Sequence, residues 1–377
     1  YLFGLGVALC GAAAWLAAER QAAWLRLLGA SLVATACFFS HIAAFGVYAL
    51  VILGLELGPA LRQWRAAEWR ALSRRAALAS GQFAIPLAIV IGWWQPAGQG
   101  HVRYGAPWRK ADLLFTVFDN YNRPFDVVCF ALLLALLGVL AWQKRLRIAP
   151  RLVPSLALVA ASYLLLPSQM MTGSGVDRRI AVALFVLLVA AAAPRLANRR
   201  TARLVGGAVA IVLVARLAAI ETVWLAADHA YRADLAAIDE LPRGARLAVA
   251  YPANAVNVSA IPELHMPTLA VWRRGAFVPT LFAFPAQQPI AVRAPWDRAA
   301  ASVPPELLWS AFVAGNRAAR AQAWPALAGW DAVAFVDRQA IRVPPQPCLQ
   351  PLLPQPRFQT HLLQIYLLKH GPDCPPP

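Results

Sequence analysis

Charged side chains are scarce in this sequence. Asp, Glu, Lys and Arg together make up 14% of its 377 residues, whereas soluble domains contain about 25%. This scarcity excludes an ordinary soluble enzyme. Hydrophobic residues make up 60% of the chain and its mean hydropathy is +0.53, which excludes a disordered chain, because such chains are polar. The composition predicts an integral membrane protein.

Lysine is nearly absent. Of the 35 basic residues only Lys110, Lys144 and Lys369 are lysines, so the net charge of +17 comes almost entirely from arginine. The arginines lie in short connectors between apolar runs, as the positive-inside rule describes. They do not form the basic face of a soluble nucleic-acid-binding domain. We therefore expect membrane lipids as partners and no nucleic acid.

Cysteine is infrequent, and motifs for metals and nucleotides are missing. The five cysteines include no CxxC pair, and no group of His, Cys, Asp and Glu has the spacing of metal ligands. No GxGxxG follows a predicted strand, and the chain contains no Walker, GxSxG or HExxH motif. No cofactor is identifiable from the sequence, and a divalent metal ion cannot be placed.

Apolar runs alternate with charged connectors over residues 1–225. A membrane span needs about 20 apolar residues, and several runs are shorter, so the prediction of spans depends on the regular alternation. The run 27–57 is interrupted at Ser40 and His41, which predicts either one long tilted helix or two helices. Because the chain begins inside an apolar run, we expect that an N-terminal part precedes it. The runs predict seven or eight spans: 1–18, 27–57, 77–94, 127–142, 152–167, 180–193 and 204–225.

Basic residues concentrate in three connectors, at residues 62–75, 144–151 and 195–203. The loops 95–126 and 168–179 carry fewer basic residues for their length and include acidic ones. The positive-inside rule therefore places the three basic connectors in the cytoplasm. Alternation of the spans then places both loops, and everything after residue 225, on the outer side.

The composition changes at about residue 226, since 21 of the 30 prolines follow that point. Proline breaks helices, so we predict a separate small α/β domain over residues 226–377. A helix over 226–240 continues from the last span, and apolar strands are predicted at 245–251 and 330–337. A helical stretch near 306–323 precedes the second strand, and 358–368 is β-like. The order strand, helix, strand predicts a parallel pair.

The sharpest candidate site is Asp177-Arg178-Arg179, at the outer end of a predicted span. Arginine at an outer end opposes the positive-inside tendency, so another group should offset its charge. Three groups remain open for this role: Asp177, a lipid headgroup, or a substrate phosphate, which the arginine fork matches well. The candidate site is a pocket for a lipid-linked phosphate, formed by Asp177, Arg178 and Arg179.

The outer loop 95–126 supplies secondary candidates. Arg103 and Tyr104 belong to a basic stretch that suits anionic headgroups or a lipid-linked phosphate. Asp119 and Arg123 flank a segment rich in turn formers. That segment is interpreted either as an interfacial turn, which we favour, or as a set of polar contacts to a sugar or phosphate.

Two further ionisable residues lie inside apolar runs. His41 is a candidate because intramembrane ionisable residues are commonly functional, although a neutral histidine bonded to a neighbouring helix is an equally simple interpretation. Arg216 lies in the last span, and we expect its side chain to snorkel toward an interface.

The overall plan resembles the C-type glycosyltransferase superfamily of multi-span membrane enzymes. The resemblance depends on a histidine in an early span (FFSHIAAFGVYAL), a short outer loop with DRR before a late span, and a last span that runs into IDELPRGARLAVAY. The Pro-rich outer domain is similar to the C-terminal domain of bacterial members. The resemblance implies a protein of the bacterial inner membrane that transfers a sugar from a polyprenyl-phosphate donor in the outer leaflet.

The sequence departs from this superfamily in one respect. The acidic catalytic residue of the superfamily usually lies in the first outer loop, but no Asp or Glu before residue 95 lies in a convincing outer loop. No catalytic base is therefore named. A transporter and a non-catalytic assembly or sensor protein stay open as alternative functions.

Cys348 and Cys374 are predicted to form a disulfide. They are the only cysteines outside the apolar runs, and both lie in the region predicted to be outside the cytoplasm, where disulfides persist.

Overall fold

Two compact units make up the chain, Tyr1–Ile220 and Glu221–Pro377, where the sequence predicted a boundary between residues 225 and 226. The first unit consists of long apolar helices, and the second contains a small sheet. The computed structural model describes residues 1–92, 102–170, 173–196, 198–253, 262–281, 292–337, 341, 343–352, 363–369 and 374.

The first unit is built from helices, and three of the connectors between them contribute strands to two small antiparallel ladders. The last helix continues past the boundary between the units. The helices are α1 (Leu2–Ala17), α2 (Ala23–Ser40), α3 (Ile42–Arg65), α4 (Trp69–Gly81), α5 (Ala84–Gly92), α6 (Pro107–Thr116), α7 (Arg123–Trp142), α8 (Val153–Leu165), α9 (Val176–Ala191) and α10 (Arg199–Asp239). The ladders pair β1 (Leu146–Ile148) with β4 (Ala192–Pro194), and β2 (Gln169–Met170) with β3 (Gly173–Ser174).

Five helices among the described residues are long and apolar enough to cross a membrane. Helices α4 and α5, bent by 51° relative to each other, form a sixth candidate if they are counted together. The runs 152–167 and 180–193, which were predicted as spans, form the shorter helices α8 and α9, with 13 and 16 residues. The five are Leu2–Arg20, Ala23–Ser40, Ile42–Arg65, Arg123–Trp142 and Arg199–Asp228.

The apolar run 27–57 contains two helices, which settles an alternative that the sequence left open. His41 has an extended backbone, with φ −175° and ψ 131°, and lies between the end of α2 and the start of α3. Its Nδ1 accepts a hydrogen bond from the Ala43 amide at 3.0 Å, so the side chain caps α3. The interruption at Ser40 and His41 is therefore a turn between separate helices and not a bend within one.

Helices α1, α2, α3, α8 and α9 share one apolar core. Small residues let their backbones approach closely, because helices without large side chains at a contact pack at short distance. A Cβ on Gly54 of α3 would lie 2.4 Å from the backbone nitrogen of Ser155 in α8. The large side chains of this core include Trp15, Tyr48, Ile52, Leu55, Val159, Tyr163 and Leu187.

Contacts bring the three basic connectors to one end of this bundle. The ladder of β1 with β4 joins the connectors 144–151 and 195–203. Arg151 forms an ion pair with Glu19, directly after α1, and Arg75 forms one with Glu56 in the C-terminal half of α3. The start of α1, the turn at His41 and the start of α9 lie at the opposite end, where the Tyr1 hydroxyl donates to the Arg179 carbonyl.

The described residues of the second unit form a four-stranded sheet in the order β5 (Leu247–Ala250), β6 (Ala332–Val336), β8 (Leu363–Leu368) and β7 (Leu349–Pro351). The predicted parallel pair is present as β5 and β6, with Leu247 opposite Ala332. Strand β8 is antiparallel to both β6 and β7. All residues of β5 and β6 are buried, which explains why both read as continuous apolar runs. Of the predicted β-like stretch 358–368, residues 363–368 form β8, and residues 358–362 lie outside the described residues.

Short helices cover the sheet, with separate apolar clusters on its two faces. The helical stretch predicted near 306–323 forms two helices, α13 (Pro305–Phe312) and α14 (Arg317–Ala326), which follow α11 (Leu269–Arg274) and α12 (Trp296–Ser302). Cys348, beside β7, is disulfide-bonded to Cys374, with a Cα–Cα distance of 5.6 Å. The predicted pair is thus bonded in the structure, and the bond joins Cys374 to the edge of the sheet.

Candidate functional site

The start of α9 is positioned by the small hairpin of β2 and β3. Gly175 follows the hairpin with φ 65°, a conformation that favours glycine. Arg103 pairs with the same hairpin, since its amide donates to the Gln169 carbonyl at 2.9 Å and its carbonyl accepts from the Gln169 amide at 3.1 Å. The fold therefore brings Arg103, from the loop before α6, next to the segment that leads into Asp177-Arg178-Arg179.

Asp177 is buried and forms its ion pair with a lysine from α6. Its Oδ2 lies 3.3 Å from Lys110 Nζ, which also donates to the carbonyls of Tyr163 and Leu166 at 2.8 Å each. The Tyr163 hydroxyl donates back to the Lys110 carbonyl. Lys110 thus fastens α6 to the end of α8 and the start of α9. Asp177 is used to neutralise Lys110, so its charge is not left to offset the two arginines beside it.

Arg178 and Arg179 lie half-buried at the start of α9. Arg179 Nη1 donates to the Gly175 carbonyl at 3.4 Å. The Arg178 amide donates to Asp177 Oδ1 at 2.9 Å, but within the described parts of the chain no carboxylate pairs with its guanidinium. The cluster formed by Arg103, Lys110, Asp177, Arg178 and Arg179, which we call the basic cluster, therefore has an excess of positive charge.

His41 lies at the same end of the bundle as the basic cluster. Its ring meets the ring of Tyr1 edge to face, with centroids 5.3 Å apart, and the Tyr1 hydroxyl reaches the Arg179 carbonyl. His41 occupies the turn between α2 and α3, where burial, and then the charge of Arg179, lower its pKa to about 4. The ring is therefore neutral at pH 7.

The remaining secondary candidates are distributed around α6 and α7. Tyr104 is exposed beside Arg103, and Arg123 is exposed at the start of α7, with its guanidinium 5.6 Å from the centroid of the Phe115 ring. Asp119 is half-buried in the connection between the two helices. None of these three side chains has an ion pair among the described residues.

Arg216, which we expect to snorkel toward an interface, pairs with the buried carboxylate of Asp126 in the first turn of α7. Its Nη1 lies 3.1 Å from Asp126 Oδ1, and its Nη2 donates to the Phe118 carbonyl at 2.5 Å. Asp126 Oδ2 also accepts from the Asn120 amide at 2.7 Å. Asp126 was missed in the sequence, although an acidic residue at the edge of an apolar run is a recognisable signal.

Metal ligands do not converge in the parts of the chain that are described: no three His, Cys, Asp or Glu side chains lie close enough together to hold an ion. The basic cluster offers arginine and lysine side chains, with the neutral His41 at the same end of the bundle, and such groups suit the recognition of an anion.

We expect the ion pair of Lys110 and Asp177 to stabilise the fold around this site. Replacing Lys110 by methionine leaves the buried Asp177 carboxylate without its partner, and we expect the free energy of unfolding to fall by about 3 kcal/mol. The double variant K110M/D177N should recover most of this loss, because it leaves no buried charge. Thermal unfolding in detergent measures both. A double variant that is less stable than K110M would contradict the assignment of this pair.

Comparison of the chain with protein-family models, with curated proteins and with solved structures finds no significant match.

Proposed function

We propose that this protein is a membrane glycosyltransferase that binds a polyprenyl-phosphate-linked sugar at the basic cluster and transfers the sugar to an acceptor. The observation that carries this proposal is the pairing of Asp177 with Lys110. Because Asp177 is already paired, and because no carboxylate among the described residues pairs with the guanidinium of Arg178, the positive charge of Arg178 suits an external anion.

A phosphate attached to a lipid fits this position on two counts. Arginine presents planar donors that match phosphate oxygens, and Arg103, whose backbone pairs with the neighbouring hairpin, adds a third guanidinium. The apolar helices beside the cluster provide surroundings in which a polyprenyl chain is soluble. A free, water-soluble anion would have no use for that apolar surface.

The proposed orientation places the basic cluster at the outer face of the bacterial inner membrane. The three basic connectors meet at the opposite end of the first unit, and the positive-inside rule assigns such an end to the cytoplasm. The second unit, with its disulfide, then lies in the oxidising compartment where such bonds persist.

In the proposed reaction an acceptor hydroxyl attacks the anomeric carbon of the sugar. The bond between that carbon and the phosphate oxygen breaks, the sugar passes to the acceptor, and polyprenyl phosphate leaves with an added negative charge. Arg178 and Arg179 stabilise this charge as it develops, which is the usual role of positioned cationic donors. The hydroxyl proton goes to a base that we do not assign to a residue.

Removal of the two arginines tests the proposal. We expect the variant R178A/R179A to bind polyprenyl phosphate at least tenfold more weakly in lipid nanodiscs, because two charge-assisted contacts to the phosphate are lost. The matched control is R199A/R200A, which removes an adjacent arginine pair from the start of α10 at the opposite end of the bundle. Equal affinities for the two double variants would refute the proposed donor site.

A further inference from the structure

The hydrogen bonding of His41 determines which of its ring nitrogens is free. Nδ1 accepts from the Ala43 amide at 3.0 Å, so its lone pair is already used. In a neutral imidazole whose Nδ1 is the acceptor, the proton is on Nε2. Within the described parts of the chain, His41 therefore offers a single free group, an N–H donor at Nε2, and it has no free lone pair with which to act as a base.

The neighbours of His41 connect this donor to the basic cluster. Tyr1 contacts the His41 ring with its own ring and the Arg179 backbone with its hydroxyl. The side chain of His41 is half-buried, and its position is fixed from one side by the cap on α3 and from the other by Tyr1. A donor fixed in this way does not need to be ordered when a ligand binds.

We propose that the Nε2–H of His41 donates a hydrogen bond to an oxygen of the donor phosphate that Arg178 and Arg179 hold. The inference rests on the proposed function, and it adds a third kind of contact to that site. It also excludes His41 as the base that accepts the acceptor's proton, because the neutral ring has no lone pair available for it.

Two substitutions of His41 separate the capping role of Nδ1 from the donor role of Nε2. Asparagine places an oxygen where His41 has Nδ1 and is a preferred N-cap residue, but it has no group at the position of Nε2. Glutamine places an amide N–H near the position of Nε2, but it loses the acceptor for the Ala43 amide. H41N should therefore keep the cap on α3 and lose the contact to the ligand. H41Q should lose the cap and keep the contact.

The measurement is the affinity for polyprenyl phosphate in nanodiscs, together with the thermal unfolding temperature of each variant. We expect H41N to unfold at the wild-type temperature and to bind about tenfold more weakly, as for a lost hydrogen bond to a charged group. H41Q should unfold at a lower temperature and retain binding within about threefold. A second capping variant, H41S, should reproduce the result for H41N.

The outcomes distinguish this inference from the proposed function. If H41N and H41S bind polyprenyl phosphate as wild type does while R178A/R179A does not, the role of His41 is overturned and the donor site stands. If the wild-type protein does not bind polyprenyl phosphate, the proposed function fails, and the inference fails with it.

Discussion

Alanine in place of Gly54 should prevent α3 and α8 from packing as they do. The added Cβ would lie 2.4 Å from both the Cα and the backbone nitrogen of Ser155, and backbone atoms cannot rotate away as a flexible side chain can. Separating the helices would also break the hydrogen bond from the Ser155 hydroxyl to the Val51 carbonyl. We expect a loss of about 3 kcal/mol in the free energy of unfolding.

The control for this prediction lies on the same helix. A Cβ on Gly46 would meet no atom within 4 Å, so G46A should be neutral or stabilising, because alanine favours helix by about 1 kcal/mol over glycine. Thermal unfolding of G54A and G46A in the same detergent makes the comparison. Equal unfolding temperatures would mean that α3 and α8 do not meet at Gly54 and Ser155.

Loss of the carboxylate of Glu56 should be equally damaging. This buried side chain accepts from Trp15 Nε1 at 2.6 Å, from Arg26 Nη2 at 3.3 Å and from Arg75 Nη1 at 2.5 Å. The Arg26 guanidinium in turn lies 3.5 Å from the centroid of the Trp15 ring. Glu56 therefore joins α1, α2, α3 and α4 at the end of the bundle that carries the basic connectors.

Glu56→Gln keeps the shape of the side chain but leaves two arginines without a counter-charge. Removing one partner from a buried charge cluster typically costs about 3 kcal/mol or more, and we expect the unfolding temperature to fall accordingly. Glu68→Gln is the matched control, because Glu68 is exposed in the short connection between α3 and α4. If E56Q unfolds at the same temperature as E68Q, Glu56 does not hold the four helices together.

The apolar runs and the basic connectors could be predicted from the sequence because each depends on local composition. The turn at His41 could not be predicted, since an interrupted apolar run is compatible with a turn and with a bent helix. The hydrogen bond from the Ala43 amide to His41, which caps α3, decides between them. The two buried strands were predictable, because continuous apolar runs next to turn residues are typical of strands covered on both faces.

The partners of the charged residues depend on tertiary structure and were not predictable. Asp177 is 67 residues from Lys110, and no pattern in the sequence links them. The partner of Arg216 was not predictable either, because Asp126 approaches it only in the folded chain. Glu56 is different, since an acidic residue near the end of an apolar run is itself a signal of a buried, paired charge, and that signal was overlooked.

The proposed site for a lipid-linked phosphate lies where α9 begins. Photo-crosslinking tests it most directly, with a polyprenyl-phosphate analogue that carries a diazirine in the isoprene unit next to the phosphate. After irradiation in nanodiscs and digestion, mass spectrometry should locate the crosslinks in residues 102–110, 168–179 or next to His41, and unlabelled polyprenyl phosphate should compete them away. Crosslinks confined to the basic connectors 62–75, 144–151 and 195–203 would contradict the account.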